Sequence, residues 1–74
     1  MTEPQPSGRE WVARFARATG QSDLSDADVE SLLELAGVAA HSSERLAAPL
    51  ACYLVGRSGM DPDAALELAR TLLD

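Results

Sequence analysis

HSSERLAAPLACYLVG, residues 41–56, is the stretch on which the fold of this chain turns. It holds the sole His, Cys and Tyr of the sequence, and Pro49 stands inside an otherwise apolar run. Proline has no amide hydrogen, and its ring collides with the carbonyl four residues earlier, here that of Arg45. One straight helix from Val29 to Val55 is therefore excluded. Proline also disfavours helical backbone at the residue before it, so Ala48 is expected as an N-cap with Pro49 at the first helical position. A helix over roughly residues 49–57 follows, burying Leu50, Tyr53 or Leu54, and Val55, with Gly59 as its stop.

Two helices are expected upstream. Ser7 and Glu10 have the spacing of a capping box, and Trp11, Phe15 and Ala18 then share a face that is expected to enter the core. Gly20 suits the left-handed residue that ends a helix. Ser25 and Asp28 repeat the box, and Asp26, Asp28 and Glu30 place negative charge at the positive end of the second helix dipole. Its buried stripe is expected to be Val29, Leu32, Leu33, Ala36, Ala39 and Ala40, ending near His41 or Ser42. Gly37 within it costs about 1 kcal/mol relative to Ala, which predicts a neighbouring helix passing close by.

Downstream, Asp61-Pro62-Asp63 opens a last helix with Asp61 as N-cap and Pro62 at the first position. Ala65, Leu66, Ala69, Leu72 and Leu73 form its apolar face, and Asp74 is expected to fray. Residues 1–6, with two Pro and no periodic pattern, read as a disordered tail, and residues 7–74 as a single domain. The expected fold class is all-α, a small orthogonal bundle of four short helices.

Composition narrows the function. A chain of 74 residues buries only about 60% of the surface its unfolded form exposes, so its core is marginal and a partner is expected to complete it. The net charge of −6 argues against nucleic acid and anionic lipid. The last-but-one helix offers Leu50 to Val55 where a DNA-recognition helix needs basic and amide side chains. One Cys excludes an internal disulfide and a Cys-based metal site. The longest apolar run, Leu46–Val55, is ten residues long and too short to span a bilayer. The polar N-terminus is no signal peptide, and a soluble, cytoplasmic chain is expected.

Candidate sites are few. Asp23, Asp26, Asp28 and Glu30 lack the glycine and terminal Glu of a calcium loop. Ser22-Asp23-Leu24 reverses the first two letters of the acyl-carrier Asp-Ser-Leu motif and follows too short a connection. Cys52 is expected to pack as a small hydrophobe, and no catalytic residue, metal ligand or cofactor is expected. His41 and Arg45 are expected to satisfy the last carbonyls of the second helix. A sharper alternative starts from Ala48, which has no side-chain acceptor. Free amides after it, with Arg45 nearby and Pro49 at the helix start, would form an anion or nucleotide site.

A resemblance adds to this. Trp11, the Ala40-His41 pair, Arg45, Ala47-Ala48-Pro49-Leu50 and Tyr53-Leu54-Val55-Gly56 resemble the pattern of a small actinobacterial helical domain of unknown function. Leu46, standing between Arg45 and the Ala-Ala-Pro-Leu block, is a minor departure. That family occurs alone or fused to molybdenum-cofactor guanylyltransferases, and also beside formate dehydrogenases that depend on molybdenum. The resemblance implies a non-enzymatic accessory to cofactor maturation or to a molybdoenzyme, with no catalytic residue to carry over. No Gly-rich nucleotide loop is present, so guanylyl transfer is not expected of this chain. The contact surface is expected near His41, Arg45 and Tyr53, with homodimer formation through an exposed apolar face as a further reading.

Overall fold

The structure, a computed structural model, describes residues 5–73. The expectations for a disordered tail and a frayed Asp74 fall, Gln5 and Pro6 apart, outside these residues. Four helices are present: α1 (Gly8–Ala18), α2 (Asp26–Ser42), α3 (Ala47–Ser58) and α4 (Pro62–Arg70). The fold is all-α, and the described residues form no strand.

The helix ends follow local chemistry. At α1 the Ser7 hydroxyl accepts from the Glu10 amide, and the Glu10 carboxylate accepts from the Ser7 amide, both at 3.1 Å. The bonds from the Ser7 amide and hydroxyl, helped by the charge of Arg14, hold the Glu10 carboxyl below the usual carboxylate range. Gly20, at φ 75°, ends the helix: its amide and that of Gln21 donate to the carbonyls of Arg17 and Ala16 at 3.0 and 2.8 Å, a Schellman closure. The α2 cap is one-sided. Ser25 accepts from the Asp28 amide at 3.1 Å, but Asp28 is one methylene shorter than the Glu or Gln that returns the second bond of a capping box. At α4, Asp61 accepts from the Asp63 amide and Pro62 takes the first turn, as expected.

The break between α2 and α3 is where Pro49 requires one, but its geometry differs from the expectation. Leu46 is the N-cap, and Ala48 lies inside the helix with Pro49 at the third position. The first four amides of a helix have no intrahelical acceptor, so a proline there forfeits no bond. Gly59, at φ 76°, closes α3.

Packing centres on α2, which lies against both α3 and α4. The core is Leu35, Ala65 and Leu66, with Val38, Ala51, Cys52, Val55 and Ala69 packed on it. The expected α2 stripe is partly corrected: Leu35 is the most buried residue at 3% exposure, while Leu33 is 69% exposed. Leu72 and Leu73 lie beyond the end of α4 and are exposed, not part of a buried face. Nothing lies within 4 Å of the position a side chain at Gly37 would take, so no helix passes close there.

α1 stands apart. It makes no comparable packing with the other three helices. Its polar tie to the body is an exposed ion pair, Arg9 to Asp26 at 3.0 Å, worth at most about 1 kcal/mol. Trp11 and Phe15 stack at 5.1 Å between ring centroids, yet each is 54% exposed; the expectation that they form the core is overturned. Their face has no opposing helix to cover it. The molecule measures 50 × 26 × 18 Å, elongated for its size.

Candidate functional site

α3 is built inside out. Its side facing the core carries Ala51, Cys52 and Val55, with Ala47 and Ala48 half-buried beside them. Leu46, Leu50, Tyr53 and Leu54, at spacings of four, seven and eight, are each more than half exposed. The expectation that Leu50 and one of Tyr53 or Leu54 would be buried is therefore corrected. Small residues let two helix backbones approach closely, and the large side chains on the opposite side are left to solvent. The Arg57 guanidinium lies 5.7 Å from the Tyr53 ring centroid, which adds a cation at one end of this apolar ridge.

Cys52 packs as expected. Its Sγ approaches the Leu32 carbonyl at 3.9 Å, and burial pushes its thiol pKa up. A thiol held protonated is a poor nucleophile.

A tight turn leads into α3. The amide of Ala47 donates to the Glu44 carbonyl at 3.0 Å and that of Ala48 to the Arg45 carbonyl at 3.2 Å, while Pro49 has no amide hydrogen. His41 and Arg45 are exposed, and they do not cap α2. The hydroxyls of Ser42 and Ser43 do so instead, donating to the carbonyls of Val38 and Ala39 at 2.7 Å each. Short hydroxyl side chains reach their own helix without the entropy cost of ordering a long one.

Concave regions adjoin the core, one of them a polar hollow that Glu30, Glu34, Asp63 and Arg70 line beside Leu66. A groove of about 280 Å³, apolar but for Ser58, runs between α3 and α4, floored by Leu35 and walled by Leu54, Val55, Met60, Leu68 and Leu72. A second hollow of about 580 Å³ is lined by Glu34, Gly37, Val38, His41, Ser42 and Leu73. Arg45 and Tyr53 line neither, so the structure does not gather His41, Arg45 and Tyr53 into one pocket. Among the described residues no group of three or more His, Cys, Asp or Glu is placed to hold a metal ion. Among the described residues no helix is long and apolar enough to cross a membrane.

The family model described as "Domain of unknown function (DUF6457)" matches residues 3–73, almost the whole chain. The chain belongs to the DUF6457 family. No curated protein and no solved structure matches it. The surface of this DUF6457 domain includes three side chains that sequence reasoning assigned inward or left aside: Leu46, Leu50 and Leu54. A signal for them was present in the sequence. Ala47, Ala48, Ala51, Cys52 and Val55 recur as a continuous stripe of small residues at helical spacing, and the large residues must then face the other way.

Proposed function

We propose that this DUF6457 domain is a non-enzymatic helical interaction module that docks through the outer ridge of α3. The observation that supports this reading most directly is the inversion of α3, with Leu46, Leu50, Tyr53 and Leu54 outside. A contiguous apolar ridge with an aromatic anchor and an arginine at its edge has the composition of a protein contact. His41 and Arg45 add polar groups near the start of the same helix. The partner class rests on the resemblance of Ala40-His41, Arg45 and Ala47-Ala48-Pro49-Leu50 to domains fused to molybdenum-cofactor guanylyltransferases. The partner is therefore a cofactor-maturation enzyme or a molybdoenzyme such as a formate dehydrogenase, met in the cytoplasm.

The test is paired affinity capture from the native cell with the wild-type chain and with Leu50→Asp/Tyr53→Asp. Capture of a molybdoenzyme or guanylyltransferase by the wild type, and its loss from the variant, is the expected result. Enrichment of neither class removes the molybdenum reading. Equal capture by both proteins moves the contact away from α3.

A further inference from the structure

The Trp11–Phe15 face of α1 and the apolar groove between α3 and α4 are both open in a single chain. We propose that they cover each other between two copies, the α1 of one chain seating in the α3–α4 groove of the second and the reverse. This inference shares Leu54 with the α3 ridge but does not depend on the ridge's partner.

Area is the first support. The chain exposes 5911 Å², where a folded monomer of 7.8 kDa exposes about 4,400 Å². Its radius of gyration is 13.8 Å against about 11 Å for a compact chain of this length. A dimer that removed the excess from both chains would bury about 3,000 Å² in total, within the range of obligate homodimers. Among the described residues α3 and α4 each pack on α2, whereas α1 makes no comparable packing and meets α2 only across a hollow lined by Arg9, Val12, Val29, Leu32 and Leu33.

Charge selects what α1 meets. It carries Arg9, Arg14 and Arg17 against Glu10, a net +2, whereas Asp26 through Arg70 hold eight carboxylates against three Arg, a net −5. Two α1 helices face to face would set like charges together. An α1 against the α2–α4 body sets opposite ones together. Asp61 and Glu67 lie on the segment that forms one wall of the groove, and the lining is apolar but for Ser58, which suits an indole and a phenyl ring.

Geometry favours a second copy over closure within one chain. Arg9 ties α1 to Asp26 at the first turn of α2, and the groove floor is Leu35, nine residues and about 13 Å further along that helix. The Schellman closure at Gly20 turns residues 21–24 back along Val12, Phe15 and Ala16, so the connection spends its reach beside α1. Exchange of one helix between identical chains is a low-cost route to a two-fold dimer.

The test uses the full chain. Sedimentation equilibrium is expected to give twice the 7.8 kDa chain mass at micromolar concentration. Emission from Trp11, the one tryptophan, should shift to the red on dilution through the transition. Trp11→Asp/Phe15→Asp and Leu68→Asp/Leu72→Asp change exposed side chains, so helix content by circular dichroism should hold while dimerisation weakens by roughly 30-fold or more. Mixing the two variants restores one intact α1 and one intact groove, and a heterodimer should appear that neither variant makes alone. A chain that stays monomeric at all concentrations overturns the proposal, whether Trp11 emission is exposed (another protein covers α1) or buried (α1 folds back on its own groove). A dimer that survives both double substitutions overturns it too, since its interface then lies elsewhere.

Discussion

Leu33 and Leu35 stand two positions apart in α2, and almost everything about the core depends on telling them apart. Leu35 is 3% exposed and touches both α3 and α4 through the central cluster, whereas Leu33 is 69% exposed. Truncating Leu35 removes buried methyl groups and leaves a void, so Leu35→Ala should cost about 2–5 kcal/mol in urea unfolding. Leu33→Ala should change stability by about 0.5 kcal/mol or less, as surface substitutions do. Equal losses from the two variants would place the core elsewhere. The sequence alone could not rank these residues, because Leu32, Leu33, Leu35 and Ala36 put apolar groups on nearly every side of that turn. Helical periodicity identifies a face only when the other face is polar.

At the scale of the element, most ends were legible, and the faces only in part: Ala65, Leu66 and Ala69 of α4 lie inward as expected, while α3 is reversed. Ser7 with Glu10, Gly20, Asp61 with Pro62, and Gly59 each act within a few residues, so their chemistry is readable without knowing the fold. Faces are decided by what packs on them. α3 buries Ala51 and Val55 while exposing Leu50 and Tyr53, a choice set by how close α2 comes, which no local rule states. The candidate site shares this split: Tyr53, read both as a contact and as a core residue, is on the exposed ridge, and Leu46, Leu50 and Leu54 beside it were hidden by the presumption that leucine goes inside. Ala48 failed as an N-cap because the turn from Glu44 supplies acceptors that a proline-based rule does not foresee. Gly37 gives the prediction proper to this scale. It lies mid-helix with free space where a β-carbon would go, so Gly37→Ala should stabilise the chain by about 0.5–1 kcal/mol. Thermal or urea unfolding reads this directly, and a loss of stability would mean that a neighbour does occupy that space.

For the molecule as a whole, the deciding feature is the separation of α1 from a body organised on α2. Amphipathic patterning correctly marked α1 as a helix with an apolar side, but patterning cannot say whether the covering surface belongs to the same chain. The segregated charge of the two parts is visible in the sequence once the boundary at Thr19 is known. It then becomes an argument about docking that net charge alone conceals.

The thinness of the core has a further consequence, for how the chain responds to heat. Apolar surface newly exposed on unfolding raises heat capacity, and an average chain of this length gains about 1 kcal/mol/K. With only Leu35, Ala65 and Leu66 buried among the described residues and the aromatic pair of α1 already in water, the isolated chain should fall clearly below that figure. Its stability curve is then shallow, and melting spreads over a broad interval with a small enthalpy. Scanning calorimetry at a concentration where the chain is monomeric tests this. A heat-capacity change at or above the average would mean that the single chain buries far more apolar surface than its three-residue core accounts for.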